Sequence, residues 1–155
     1  EEVKRNFDFY EPKTVHESSL SPCVHAILAA QIDYPEKAYE RYLRTSRLDI
    51  DDYNREVHEG LHITSMAGTW MSVVQGFGGM KIRDEELHFT PKLPTQWKGL
   101  TFSILWRGAT LKANLTAQSM TIENVSGAPA KFAIDGQWFE VAAGEKASTA
   151  AAAMA

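Results

Sequence analysis

The sequence predicts a segregated α+β chain, with helices first and an antiparallel β domain after them. Three observations lead there. Up to about Met80 the apolar residues recur at helical spacing, and beyond it they alternate with polar ones. Between the two regimes stands Gly76-Phe77-Gly78-Gly79, a run that stops a helix. Helices followed by strands, instead of strands alternating with helices, exclude a doubly wound parallel sheet.

Ser21-Pro22 opens the first clear helix, with a hydroxyl to cap it and a proline in its first turn. Val24, Ile27, Leu28 and Gln31 lie on one side, while Ala26, Ala29 and Ala30 admit a close neighbour. Tyr34-Pro35-Glu36 opens a second helix that runs through Ala38, Tyr39, Tyr42 and Leu43 to about Ser46. The short Asp33-Tyr34 link makes the pair an antiparallel hairpin. A third helix is expected from Ile63 to Gln75, with Met66, Thr69, Trp70, Val73 and Val74 on its period. The acidic connection from Leu48 to Leu61, about 14 residues, is too long to be idle and is expected to be functional or disordered.

After Met80 the period becomes two. Short strands are expected around Ile82 and Leu87-His88-Phe89, then through Phe102, Ile104 and Trp106, through Leu111, Ala113 and Leu115, and through Met120 and Ile122. Phe132 and Ile134 lead into Asp135-Gly136, a hairpin signal, and Trp138 to Val141 return. The expected arrangement is a meander forming one sheet of a small antiparallel β-sandwich. The domain assignment is therefore 1–80 helical and 81–147 β, with the alanine-rich 148–155 as a loose tail.

Bulk properties narrow the function. A net charge of −4 without a basic run speaks against nucleic acid as a partner. No apolar run approaches the ~18 residues of a membrane span. A single cysteine, Cys23, allows no intrachain disulfide, which suits a reducing compartment such as the cytoplasm. The start, Glu1-Glu2-Val3-Lys4-Arg5, has neither initiator methionine nor signal peptide, and the helices are apolar on more than one side near Trp70 and Met71. Both features lead us to expect a fragment.

Two stretches concentrate polar chemistry at helix starts. In the first, His16-Glu17-Ser18-Ser19-Leu20-Ser21, two serines precede a helix whose unpaired amides favour an anion. In the second, Gly60-Leu61-His62-Ile63-Thr64-Ser65, a glycine, an imidazole and two hydroxyls precede another. Ordinary capping and phosphate binding are both open on these residues alone. The acidic run from Asp49 to Glu56 fails as a calcium loop, because Tyr53 and Asn54 stand where an oxygen ligand and a glycine are needed. The five histidines show no metal-ligand spacing, and neither a Ser-His-Asp set nor a P-loop is present. The four tryptophans, Trp70, Trp97, Trp106 and Trp138, suit core packing or sugar stacking.

These motifs occur together with Phe9-Tyr10-Glu11-Pro12-Lys13-Thr14, Thr45-Ser46-Arg47-Leu48-Asp49-Ile50-Asp51-Asp52-Tyr53-Asn54, Met66-Ala67-Gly68-Thr69-Trp70 and Gln75-Gly76-Phe77-Gly78-Gly79. The combination closely resembles the C-terminal part of the inverting disaccharide phosphorylases of glycoside hydrolase family 65, most of all its maltose-acting members, over residues 6 to 140. Members acting on trehalose, kojibiose or nigerose are similar enough that substrate choice stays open. The resemblance implies the last helices of an (α/α)6 barrel followed by a β domain. It implies inorganic phosphate as a substrate, with no cofactor and no metal. It also implies an α-glucosyl disaccharide as the other substrate, with the remaining barrel, an N-terminal domain and a second subunit as partners. Carried over, Ser18, Ser19 and His62 are the phosphate-binding residues, with Ser65 and Gly60 as weaker candidates. The family's general-acid glutamate lies upstream of the matched region, so this piece alone is expected to be inactive. A sugar-binding module and a hydrolase on the same scaffold are the alternatives.

Overall fold

The structure, a computed structural model, describes residues 1–150 and divides after Phe77 into two units. The first holds α1 (Glu2–Tyr10), a 3-10 turn (Glu11–Lys13), α2 (Ser21–Gln31) and α3 (Pro35–Ser46). A second 3-10 turn (Val57–Glu59), α4 (Ile63–Met71) and a π-helical turn (Ser72–Phe77) complete it. α2 and α3 carry a proline in their first turns, where the absent N–H has no intrahelical partner to lose. Asp33, at φ 58°, closes α2, and the Tyr34 N–H returns to the Ala29 carbonyl at 2.9 Å. Ala26, Ala29, Ala30 and Ala38 are buried, so the hairpin packs on small residues as expected.

Three features differ from the sequence reading. α1 is a helix that reading does not contain, because only Phe7 on it is buried and its apolar stripe is short. The serine caps are not formed: Leu20 and His62 occupy the N-cap positions of α2 and α4, without side-chain cap bonds. The third difference concerns which face of α4 turns inward. Its buried residues are Ser65 and Gly68, continued by Ser72 in the π turn. Ile63, Met66 and Trp70 stand 67%, 47% and 50% exposed along its outer side. Gly68 explains the orientation, since a Cβ there would lie 2.8 Å from the Cys23 Cβ. Glycine brings α4 close against α2 and leaves the large apolar residues outside.

The second unit is a two-sheet sandwich. Its strands are β1 (Met80–Arg83), β2 (Glu86–Phe89), β3 (Gly99–Trp106), β4 (Ala109–Thr116), β5 (Ser119–Gly127), β6 (Ala130–Ile134), β7 (Gln137–Val141) and β8 (Lys146–Ala150). One sheet runs β1-β2-β6-β7 and the other β3-β4-β5-β8. Leu87, Phe89, Phe132 and Ile134 from the first sheet share one core with Leu111, Leu115, Met120 and Ile122 from the second. The alternation is therefore read correctly, and Asp135-Gly136 forms the expected two-residue hairpin, both residues at positive φ. The expected purely antiparallel order needs one correction, because β2 and β6 pair in parallel. Ser148 to Ala150, expected in the tail, instead pair with β5; the remainder of that expectation, 151–155, lies outside the described residues. Among the described residues no helix is long and apolar enough to cross a membrane.

Candidate anion site at two helix starts

The segment before α2 is held from below by a charged network. Glu11 is buried at the start of the first 3-10 turn, and Arg41 of α3 donates to its Oε1 through both Nε (2.8 Å) and Nη2 (2.5 Å). The other oxygen meets His25 Nδ1 in a short contact and His16 Nε2 at 3.3 Å. Burial by itself raises the Glu11 pKa, but hydrogen bonds and charge from Arg41 and His25 outweigh it and leave the group lowered. His16 is shifted down, first by burial and then by the Arg41 charge. Its Nδ1 meets Ser21 Oγ at 2.7 Å, which fixes the ring against the start of α2.

Glu11, His16 and His25 place one metal-ligand atom each within 4.8 Å of one another, a juxtaposition that linear spacing did not show. Protein donors already satisfy that carboxylate, however. We read the cluster as the strut that anchors the serine segment.

From that strut the chain reaches Ser18 and Ser19. Ser18 Oγ accepts the Leu20 N–H at 3.2 Å and is exposed. Ser19 Oγ lies 3.0 Å from Thr64 Oγ1, across 45 residues, in the first turn of α4. The two hydroxyl-rich helix starts thus stand side by side, with His62 two residues before Thr64. Asn54 fastens the connecting loop to them: its Nδ2 donates to the Glu17 carbonyl at 3.0 Å, and its Oδ1 accepts from Arg44 at 2.9 Å. Arg44 also lies over the Tyr53 ring at 4.2 Å. Glu17, Arg44, Tyr53, Asn54 and Glu56 line a cleft of about 430 Å³ beside these residues.

His62 itself is set by Asp49. The Asp49 carboxylate accepts the His62 backbone N–H at 2.9 Å and meets Nδ1 at 2.6 Å. The hydrogen bond that Asp49 accepts raises the His62 pKa, with further help from the charges of Asp49 and Glu56, which favours the doubly donating form of the ring. The two weaker candidates have their own donor groups engaged within the protein. Ser65 is 2% exposed and its hydroxyl donates to the Thr45 carbonyl at 2.8 Å, so it ties α4 to the end of α3 and cannot offer that proton to a ligand. Gly60 gives its N–H to Val57 at 3.1 Å. Its φ of 130° explains the glycine, and nothing lies within 4 Å of where a Cβ would stand.

The arrangement gathers the hydroxyls of Ser18, Ser19 and Thr64, an imidazole whose pKa is raised and a nearby guanidinium. That is the donor set of an oxyanion pocket.

Comparison with known proteins bears on which oxyanion. The description "Glycosyl hydrolase family 65 central catalytic domain" matches residues 1–71, and "Glycosyl hydrolase family 65, C-terminal domain" matches residues 80–141. The chain belongs to glycoside hydrolase family 65. It is 51% identical to the maltose phosphorylase of Bacillus subtilis and 46% identical to the α,α-trehalose phosphorylase of Thermoanaerobacter brockii, in each case over 83% of this chain and 17% of the relative. A solved structure, provisionally described as a kojibiose phosphorylase from the human microbiome, superposes with a TM-score of 0.88 at 33% identity, over 97% of this chain and 22% of that one. The family 65 chain described here thus spans about a sixth of the length of these curated relatives.

The resemblance expected from the motifs is therefore confirmed at the level of family and of the mixed α+β fold. The residues that sequence reasoning missed are Asp49, Arg44 and the Glu11–His25–Arg41 strut. Asp49 and Glu11 did sit in quoted stretches, but their partners His62, His25 and Arg41 lie 13 to 30 positions away in the chain.

Proposed function

We propose that this chain is the part of an inverting α-glucosyl disaccharide phosphorylase that holds inorganic phosphate. In this reading Ser18, Ser19 and His62 bind the anion, with Thr64 replacing Ser65 and Arg44 adding charge. The observation that carries it is the Ser19–Thr64 contact, which sets the two helix starts beside one another, with His62, its pKa raised by Asp49, two residues before Thr64. The relatives with maltose and trehalose phosphorylase names support phosphate as the anion.

The chemistry follows from the geometry of inversion. Phosphate, held by hydroxyls and imidazolium, attacks the anomeric carbon from the face opposite the leaving sugar. A glutamic acid elsewhere in the enzyme protonates the departing oxygen, and β-glucose 1-phosphate forms. A bound anion thereby replaces the water-activating carboxylate of an inverting hydrolase. Maltose is the disaccharide we favour, and the enzyme is placed in the cytoplasm. The outward stripe of Ile63, Met66 and Trp70 is the face we assign to neighbouring helices of an (α/α)6 barrel.

Replacing His62 by Ala and Ser18 by Ala in the full-length enzyme tests this reading. The KM for phosphate is expected to rise at least about tenfold in each. An unchanged KM in both removes these residues from the site.

One observation favours a second role, sugar binding by the β unit. Trp106 and Trp138 line a small cavity of about 170 Å³ together with Glu85, Glu86, Arg107 and Lys131. Lys131 already stands 4.5 Å from the Trp138 ring centre, however, which competes with a stacked sugar. Retention of maltooligosaccharide binding in a Trp138→Ala variant would end this second reading.

A further inference from the structure

Asp49 and Glu56 flank His62 in different ways. Asp49 is the inner partner, 12% exposed, and one carboxylate grips both the main chain and the ring of His62. Glu56 is the outer partner, 49% exposed, with Oε2 3.5 Å from Nε2, an ion pair without a hydrogen bond. Among the described residues, the hydrogen bond to that Glu56 oxygen comes from Asn54 Nδ2 at 3.4 Å. Nδ1 is therefore committed inward, and Nε2 points outward to a loosely held carboxylate. Asp49 stands 13 residues before His62, in the connection between α3 and α4 that carries the 3-10 turn Val57–Glu59.

Resting on the phosphate reading above, we propose that Asp49 is the positioning residue of this site and that Glu56 is a displaceable stand-in for the substrate anion. Asp49 fixes the ring with Nδ1–H toward itself, which aims Nε2–H at the incoming oxygen and favours the cation. Glu56 neutralises that cation while the site is empty and yields when a more highly charged anion arrives. Among the described residues, the charged groups against His62 are Asp49 and Glu56. Glu17 and Arg44 line the adjoining cleft, and Arg47 is engaged by Asp51 at 2.6 Å.

The consequence is a pH dependence that belongs to the enzyme and not to phosphate. The measurement is kcat/KM for phosphate across the pH range in the full-length enzyme, as wild type, Asp49→Asn, His62→Gln, the double variant and Glu56→Gln. Taking each variant as a ratio to wild type cancels the ionisation of phosphate. For Asp49→Asn the ratio is expected to fall as pH rises, reaching a deficit of about tenfold or more at the alkaline end, because without Asp49 the imidazole loses its proton at lower pH. In the His62→Gln background the same change is expected to have no further effect. Glu56→Gln, at an exposed position that does not endanger folding, is expected to bind phosphate about two- to fivefold more tightly at the acid end, where His62 is charged regardless.

A deficit in Asp49→Asn that is the same at every pH, or that persists in His62→Gln, overturns the positioning role. Weaker or unchanged phosphate binding in Glu56→Gln overturns the stand-in role. A wild-type KM in His62→Gln is a separate result: it brings down the phosphate reading itself. Should Asp49→Asn fail to fold, Asp49→Glu keeps the charge and is expected to retain the wild-type pH profile with a raised KM; a displaced profile contradicts the proposal.

Discussion

Ser65→Ala separates the structural from the ligand-facing hydroxyls at the start of α4. The side chain is 2% exposed and donates to the Thr45 carbonyl at 2.8 Å. Thr45 lies in the last turn of α3, where carbonyls lack intrahelical partners, and the Leu48 N–H reaches this one only at 3.5 Å. Losing the bond costs a net ~0.5–1.5 kcal/mol, and leaving a buried carbonyl poorly satisfied brings the total toward ~1–3 kcal/mol. We expect a loss of about 2 kcal/mol in urea unfolding of the enzyme, with the KM for phosphate within about twofold of wild type. Ser19→Ala, whose oxygen faces Thr64 at the open side, should do the reverse. A Ser65→Ala variant of unchanged stability with a tenfold higher phosphate KM would refute the assignment of both hydroxyls.

Three further outcomes follow from the packing and the charges. Gly68→Ala places a Cβ 2.8 Å from the Cys23 Cβ and 2.9 Å from its Sγ; the overpacking, about 1–3 kcal/mol, should exceed the ~1 kcal/mol gained in helix propensity, seen as a lower urea midpoint. His16 titrates lower folded than unfolded, so the unfolded chain takes up its proton first as pH falls. Its contribution is therefore complete above the ordinary histidine range and declines as pH falls below it; His16→Gln should flatten that part of a stability profile taken between about pH 8 and 5. Cys23 is buried with its thiol pKa raised by burial, and alkylation should be slow in the native enzyme and fast in urea, with equal rates contradicting the burial.

How much of this was legible in the chain depended on the range of the interaction concerned. α2 and α3 were readable because Pro22 and Pro35 mark their starts locally, and the strands because Leu111, Leu115, Met120 and Ile122 alternate. α4 was readable as a helix, but its inward face was not. The helical period singled out Met66 and Trp70 with apolar residues on more than one side, and it is the close approach of Gly68 to Cys23 that turns Ser65 and Ser72 inward. The parallel β2–β6 pair joins strands separated by more than 40 residues and leaves no local trace. At the site, Ser18, Ser19 and His62 came from motifs, each motif contiguous. The pairings that give them their chemistry, Asp49 with His62 and Glu11 with Arg41, exist only once the chain is folded.

The most direct test is a structure of the full-length enzyme with inorganic phosphate bound. The account requires one phosphate with oxygens within about 3.2 Å of Ser18 Oγ, Ser19 Oγ and His62 Nε2, and Glu56 swung away from the imidazole. A phosphate seated elsewhere, with Glu56 still against His62, would contradict it.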